Sequence, residues 1–302
     1  MCRDGEPNAR LQLFPSVELN RAFLINLFRC VYQDCRTCLK ENIMNEPTLN
    51  VLALGHLDCQ YFRIVTGYEE SRMYRSPVSA LLIRHPDLGN VLYDTGNSPY
   101  HRREYGKDIN EVYPVGSFLS IEQALAEHGL RCTDIDMIIL SPMHFDHVGG
   151  LRYFQGTKAI KNVIVAENEL QNACLSVFTA EPHSAYIKSL FDVEGVVYKT
   201  IRETTTLAPN LTLFIQQAHT PGVTGLIIGT RSMGNVIVTS DAVYTRESWE
   251  TSTPPGGPIN KGTEAFLANL QRLKDMQNQY DATMLFGHDS EQILEWSRKG
   301  TI

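Results

Sequence analysis

Two histidines and an aspartate lie within four residues of one another in the segment SPMHFDHVGG. They are His144, Asp146 and His147, and the apolar run IDMIIL directly precedes the segment. Side chains at this spacing in a turn converge on a small volume, and a mixture of imidazole and carboxylate donors suits Zn, Mn or Fe. The cluster therefore indicates a metal site, unless it is only a polar loop.

These two interpretations differ in what the ends of other strands should carry. A polar loop predicts no further donors there, yet Asp241 follows the apolar segment NVIVT and His288 follows ATMLF. Loops at the ends of rigid strands hold ligands well, because the scaffold fixes their positions. The distribution of donors along the chain therefore favours a metal centre.

The strands that must position these donors alternate with helices. SIEQALAEHGL, capped by Ser120, and TEAFLANLQRLKDMQNQY predict helices, whereas residues 98–118 show no period and predict a long loop. Several of the strands are apolar throughout, which is typical of strands buried under helices on both sides. We expect an α/β protein whose main domain spans residues 48–302.

Composition narrows the classes of function. The 302 residues are 43% hydrophobic and 20% charged, as in ordinary globular proteins, and the net charge is -7. The chain has no Lys/Arg-rich run to neutralise phosphates, no apolar run of about 20 residues and no apolar signal region at its start. We expect a cytoplasmic protein that acts on a small molecule, without nucleic-acid or membrane partners.

Residues 16–39 carry apolar side chains at helical spacing. We expect residues 1–47 to form an N-terminal extension with an amphipathic helix that takes part in homodimer contacts. The alternative is that Met44 is the true start.

Five further stretches give the chain a resemblance to a known family. They are DTG at 94–96, HFDHVGG at 144–150, HTPG at 219–222, SDAVYTRESWE at 240–250 and FGHDSEQ at 286–292. In this order they resemble the metallo-β-lactamase superfamily, and most closely its N-acyl-homoserine lactonase-like branch. The resemblance implies an αβ/βα four-layer sandwich with two mixed β-sheets, and two metals bridged by an aspartate and a hydroxide.

The chain departs from the family's pattern at two positions. The family's cluster reads His-x-His-x-Asp-His, and a further histidine follows its TPG turn; here those positions hold Pro142 and Val223, and His219 is expected to lie outside the ligand set. On this alignment the first metal position keeps only His144. The second position keeps its full set, which is Asp146, His147, Asp241 and His288.

We therefore expect one Zn²⁺ per chain, with Mn or Fe as alternatives. The expected activity is hydrolysis of a small cyclic ester or amide, a lactone or lactam, by attack of a metal-bound water. The resemblance offers a precedent, since one subclass of metallo-β-lactamases works with a single zinc. Two alternatives remain open: a non-hydrolytic metal-dependent enzyme of secondary metabolism on the same fold, and a pseudoenzyme that binds a ligand.

The expected catalytic residues are His144, Asp146 and Tyr244. His144, relieved of a metal, is predicted to act as a general base; the alternative is that it only hydrogen-bonds a neighbour. The resemblance places Tyr244 at the carbonyl under attack, although it could instead be an aromatic lid residue. It also implies that Asp94 orients residues of the cluster, whereas Asp289 is expected to be structural.

Aromatic residues in segments 98–118 and 172–195 are candidates for an apolar substrate cleft. Core packing is the simpler interpretation for most of them. They are Tyr100, Tyr105, Tyr113, Phe118, Phe178, Tyr186 and Phe191.

Overall fold

The structure is a computed structural model that describes residues 46–182, 184–256 and 262–302. The predicted N-terminal helix falls outside these ranges. The strands are β1 (Thr48–Gln60), β2 (Met73–His85), β3 (Gly89–Tyr93), β4 (Val115–Phe118), β5 (Met137–Ile139), β6 (Val163–Ala166), β7 (Tyr198–Ile201), β8 (Thr205–Ala208), β9 (Leu211–Gln216), β10 (Val223–Thr230), β11 (Gly234–Ser240) and β12 (Thr283–Phe286). The α-helices are α1 (His101–Glu104), α2 (Lys107–Val112), α3 (Ile121–Glu127), α4 (Phe145–Val148), α5 (Glu167–Phe178), α6 (Lys188–Phe191), α7 (Arg246–Thr251), α8 (Thr263–Tyr280) and α9 (Ser290–Lys299).

The strands form two mixed sheets. The first has the order β4-β1-β2-β3-β5-β6-β7, and its half from β3 to β7 is parallel. The second has the order β12-β11-β10-β9-β8, in which β11 and β12 pair in parallel and the remaining neighbours are antiparallel.

Successive side chains of a strand point to opposite faces of its sheet, and the apolar ones form three separate layers. Leu81 and Ile83 of β2 meet Leu226 and Val238 of the second sheet in a core between the sheets. The outer faces of the two sheets are covered by helices, with α3 and α5 packing on the first and α8 packing on the second. This arrangement of helix, sheet, sheet and helix confirms the predicted α/β four-layer sandwich.

The sheet directions bring several strand ends to one edge of the sandwich. Since β10 is antiparallel to both β9 and β11, and β12 is parallel to β11, the carboxyl ends of β9, β11 and β12 lie at the same edge. The carboxyl ends of β3 and β5 lie at one edge of the first sheet for the same reason. The two edges meet, because the Ser240 hydroxyl lies 2.7 Å from the Ser141 hydroxyl and Thr224 N donates to Ser141 O at 3.1 Å.

The predicted helices over 121–127 and 263–280 are confirmed, and Ser120 caps the first in a capping box with Gln123. The prediction of a long loop over 98–118 is wrong. The segment contains α1, α2 and the edge strand β4, which pairs with β1. These elements have only four to six residues each, which is too short to show a period in the sequence. None of the helices in the described ranges is long and apolar enough to cross a membrane.

Gly149 follows α4 directly and packs against the turn at residues 96–98. A Cβ at this position would lie 2.2 Å from Ser98 N and 2.5 Å from the carbonyl carbon of Asn97. Backbone atoms cannot move aside as a flexible side chain does. The glycine therefore permits the segment that carries His144, Asp146 and His147 to lie close to the turn that carries Asp94.

We predict that Gly149→Ala lowers the free energy of unfolding by about 1–3 kcal/mol, because the added methyl group overpacks the site. Chemical denaturation of the metal-free protein would measure the change. Gly106→Ala is the matched control, since no atom lies within 4 Å of its added Cβ. We expect the control to change stability by less than about 0.5 kcal/mol, and an equal effect of both substitutions would contradict the packing argument.

Candidate metal centre

The candidate site is built from loops at the common strand edge. The segment after β5 carries His144, Asp146 and His147, and α4 fixes the last two in its single turn. His219, Asp241 and His288 follow β9, β11 and β12 respectively. All six side chains are buried.

One group of donors comprises Asp146, His147 and His288, whose ligand atoms lie within 4.8 Å of one another. Asp241 joins this group through Oδ1, which lies 3.1 Å from Nε2 of His147 and 3.1 Å from Nε2 of His288. The structure thus brings together the four residues that the sequence assigns to the second metal position.

A second group comprises His144, His219 and Asp241. The other oxygen of Asp241, Oδ2, lies 3.1 Å from His219 Nε2, and that nitrogen lies 3.0 Å from His144 Nδ1. The two oxygens of one carboxylate therefore face the two groups. An aspartate that lies between two groups of metal donors in this way is suited to act as a bridging ligand.

The histidines determine the charge state of Asp241. Burial alone would raise the pKa of Asp241, but His147, His288 and His219 together hold it well below its usual range. Burial would lower the pKa of His147, but Asp241 and Asp146 hold it well above its usual range. The pKa of His288 is also raised, against the effect of burial, chiefly by Asp241. The centre is thus a concentrated set of charges removed from solvent.

A cation fits this arrangement better than direct hydrogen bonding does. Nε2 of His147 and Oδ1 of Asp241 are buried and make no hydrogen bond of acceptable geometry with the described residues, although they lie close together. Buried polar atoms without partners are rare in folded proteins. Imidazole nitrogens and carboxylate oxygens are ligands of zinc. The residues present therefore fit a metal ion in the group of Asp146, His147, His288 and Asp241.

The far side of two histidine rings is held by hydrogen bonds. Oδ2 of Asp94 lies 2.9 Å from His147 Nδ1 and also accepts a hydrogen bond from the Ser141 hydroxyl. His288 Nδ1 lies 2.8 Å from the carbonyl oxygen of Pro77. Such partners fix the tautomer and direct Nε2 towards a metal. The expected orienting role of Asp94 agrees with this geometry.

Burial raises the pKa of Asp94, while His147 and Ser141 oppose the rise.

Three residues of the site have a left-handed backbone conformation. Asp94, His219 and Ser240 all have a positive φ, of 63°, 71° and 48°. Non-glycine residues adopt this left-handed region at a free-energy cost of roughly 1–3 kcal/mol and concentrate at functional sites.

Tyr244 touches both the donors and the adjoining cleft. Its hydroxyl lies 3.1 Å from His219 Nδ1, and its ring meets the His288 ring edge-on at 4.9 Å. Burial and then the charge of Asp241 raise its pKa well above the usual value, so the phenol keeps its proton. Tyr244 therefore holds the side of His219 that points away from Asp241.

The sequence leaves His219 outside the ligand set, but the structure places its Nε2 beside Asp241 and His144. The positive φ of His219 turns its ring back towards Asp241 just after β9 ends. Val223 begins β10 and packs with Ala218 and Ala242, so it does not take the place of a ligand in the site. Neither Pro142 nor Val223 supplies a donor to this group, whereas His219 lies within reach of Asp241.

The cleft beside the donors has mostly apolar walls. They are formed by Leu57, Ile64, Ser76, Tyr113, Phe145 and Ala185. Of the aromatic residues expected there, Tyr113 lines the cleft, while Tyr105, Tyr186 and Phe191 are buried in the core. Tyr100 and Phe178 are exposed on the surface. Phe118 is half-buried on β4, with its ring 5.9 Å from that of His101. Core packing is thus the outcome for three of the seven rather than for most of them.

Asp289 is structural, as expected. Its carboxylate caps α9 by accepting a hydrogen bond from Gln292 N, and it also accepts one from Arg246 N. It thereby joins the helix after His288 to the helix after Tyr244.

Comparison with known proteins places this geometry in context. The model of the Metallo-beta-lactamase superfamily matches residues 73–288. An N-acyl homoserine lactonase from Bacillus thuringiensis is 29% identical over 256 residues, which cover 82% of this chain and 96% of the relative. Another from Bacillus cereus is 31% identical over 213 residues, covering 68% and 78%.

Solved structures agree with the sequence relatives. A variant of AiiA from B. thuringiensis, with N-decanoyl-L-homoserine bound at the active site, has a TM-score of 0.70 and 26% identity, covering 83% of this chain and 96% of that one. An N-acyl homoserine lactone hydrolase with the product N-hexanoyl-L-homoserine at its catalytic metal centre has a TM-score of 0.69 and 26% identity, with the same coverage.

We predict that Asp94→Asn weakens zinc binding roughly 10- to 100-fold, the usual effect of removing a partner that orients a ligand. The amide would place a donor opposite His147 Nδ1, which must itself donate when Nε2 binds a metal. Competition with a chromophoric chelator would measure the affinity. Asp136→Asn is the control, because Asp136 also accepts a backbone hydrogen bond, from Asn90, but touches no donor of the site. Unchanged affinity in Asp94→Asn would show that the contact does not orient His147.

Proposed function

The chain belongs to the metallo-beta-lactamase superfamily, in its lactonase-like branch of metallo-hydrolases, and from this premise we propose that it opens the ring of N-acyl homoserine lactones or closely similar lactones. The observation that carries the proposal is the convergence of two donor groups on Asp241 beside a cleft that Tyr244 shares. The family assignment made from the sequence is confirmed.

The walls of the cleft favour a neutral substrate with an apolar part. No lysine or arginine occurs among the described residues that line it, and Leu57, Ile64 and Phe145 present hydrocarbon next to the donors. An acyl chain would bury its surface there, while the ester lies over the polar floor. This division of apolar wall and polar floor is typical of small-molecule sites.

A bound ion would supply a water of lowered pKa and would polarise the carbonyl of the ester. Asp146 borders both the cleft and a donor group, so we propose that its carboxylate receives the proton of the attacking water. Tyr244 keeps its phenolic proton and faces the cleft, so it is placed to donate to the substrate oxygen on which charge develops.

We assign His144 to the metal ligands. Its Nδ1 faces His219 Nε2 in the group around Oδ2 of Asp241, which is where a ligand nitrogen should lie. The general-base role expected from the sequence stays a prediction, and so do the cytoplasmic location and the homodimer.

The number of ions follows from the unequal donor sets. Asp146, His147, His288 and Asp241 supply four donors to one position, whereas the other has only His144, His219 and Asp241, because Pro142 offers none. We propose that one ion binds tightly and a second binds more weakly. The single-metal enzyme expected from the sequence stays a prediction, and a two-step zinc titration distinguishes it from this proposal.

We predict that Tyr244→Phe lowers kcat for an N-acyl homoserine lactone on the order of 100-fold, the usual effect of losing one preorganised donor to a developing oxyanion. Ring opening would be followed by chromatography of the acyl homoserine product. Tyr153→Phe, in the core away from the cleft, should leave kcat unchanged. If the native protein opens no lactone under metal-replete conditions, the proposed function is wrong.

We predict that Pro142→His tightens the weaker ion by at least roughly tenfold. A ligand should matter more than an orienting partner, whose loss already weakens binding about 10- to 100-fold. Calorimetric titration of the metal-free protein with zinc would resolve the two steps.

Val223→His is the contrasting variant for this experiment. Val223 is fully buried in its small apolar cluster, so the substitution should destabilise the fold without tightening either ion. Equal gains from Val223→His and Pro142→His would contradict the place that the structure gives to Val223.

A further inference from the structure

Glu169 is a buried carboxylate that belongs to neither donor group. It lies in the first turn of α5 and is 0% exposed. Burial raises its pKa, while hydrogen-bonding groups of Thr220, Met143 and Tyr186 oppose the rise. A carboxylate at such depth is costly unless its partners compensate for the lost water, so the identity of those partners matters.

The carboxylate bonds to two segments that flank His144. Oε1 of Glu169 accepts a hydrogen bond from Met143 N at 2.8 Å, directly before His144 in the chain. The same oxygen accepts one from the Tyr186 hydroxyl at 2.9 Å. Asn172 Nδ2 donates to the Tyr186 oxygen at 2.9 Å, which leaves the hydroxyl hydrogen directed at Glu169.

Tyr186, which is held by Glu169, also packs against the ring of His144. Its ring meets the His144 ring edge-to-face, with centroids 4.6 Å apart and planes at 62°. The backbone between the two is also joined, since Phe145 N donates to Ala185 O at 3.1 Å. The orientation of the His144 imidazole is therefore set on one side by an aromatic ring whose own hydroxyl is held by Glu169.

The turn that carries His219 packs on the same residue. A Cβ added to Gly222 would lie 2.6 Å from Glu169 N and 3.1 Å from its Cα, so the turn rests directly on the start of α5. Both histidines of the weaker position are thus mounted on segments that contact Glu169.

The histidines of the tighter position are held independently. His147 is held by Asp94 and His288 by the carbonyl of Pro77, whereas the hydrogen bonds of Glu169 go to Met143 and Tyr186. A change at Glu169 should therefore affect the two positions unequally.

We propose that Glu169 is a positioning residue which, through Tyr186 and the Met143 amide, orients His144 towards His219 and Asp241 and so sets the affinity of the weaker metal position. The inference rests on the proposed function for the existence of that position. If Glu169 only supported the fold, its loss would weaken both positions together and lower stability in proportion.

The test is a two-step zinc titration of the metal-free full-length protein, with thermal unfolding of the same samples. Glu169→Ala should weaken the weaker step roughly 10- to 100-fold and leave the tighter step unchanged. Glu169→Gln should restore most of the affinity, because its amide oxygen still accepts from Met143 N and Tyr186.

Tyr186→Phe provides a second test of the proposal in case the Glu169→Ala variant does not fold. It keeps the ring against His144 but removes the bond to Glu169, so the weaker step alone should loosen, by roughly tenfold. Tyr198→Phe is the matched control: it also removes a hydroxyl bond at the core, to Phe191 O at 2.7 Å, without touching the site. The control should change neither step.

Equal weakening of both steps, no change in either step, or a native protein with a single step would each overturn the inference. Lactone turnover is measured separately. A protein that shows the expected zinc steps but opens no lactone would refute the proposed function and leave the role of Glu169 intact.

Discussion

The centre depends on one buried carboxylate held among three imidazoles. Asp241 is almost fully removed from water, and its two oxygens lie 3.1 Å from nitrogens of His147, His288 and His219. A carboxylate at that depth stays charged only because positive or polarised groups surround it. The negative charge of Asp241 in turn favours a cation between the rings, where neutral imidazole nitrogens can bind it. Each histidine must therefore reach Asp241 from a different strand end, and this requirement constrains the fold around it.

The two-sheet architecture satisfies that requirement with short connections. His219, Asp241 and His288 each follow a strand of the second sheet directly, and the direction of β10 places all three strand ends at one edge. The cluster of the first sheet is joined to this edge by the contact between Ser141 and Ser240, and Ser141 also bonds Asp94. Within the second sheet, Gly287 allows the segment after β12 to lie against the end of β11, since a Cβ there would lie 2.7 Å from the backbone of Ser240.

The sequence predicted what repeats along the chain or lies at the end of a clear element. Apolar runs and the residues at their ends predicted an α/β fold, α8 and a metal centre, whereas the four-layer sandwich and the set of Asp146, His147, Asp241 and His288 came from the resemblance to the superfamily. Prediction from the sequence failed where the backbone conformation of a single residue redirects its side chain. The ring of His219 turns into the site through a positive φ, which no spacing rule for histidine reveals. The contact between Glu169 and Met143 could not be predicted either, because the two residues are 26 positions apart and meet only when α5 packs on the segment that carries His144.

The candidate donor group of His144, His219 and Asp241 forms although Pro142 supplies no donor to it. A proline contributes neither a donor side chain nor an amide hydrogen, so the segment before His144 is held from its next residue, Met143, whose amide bonds Glu169. The two histidines that remain are constrained from outside the metal, His144 by Tyr186 and His219 by Tyr244. Ligands that are already oriented lose less conformational entropy when an ion binds. The buried aromatic rings beside His144 and His219 would therefore lower the entropic cost of binding an ion there and offset part of what a fourth donor would have supplied.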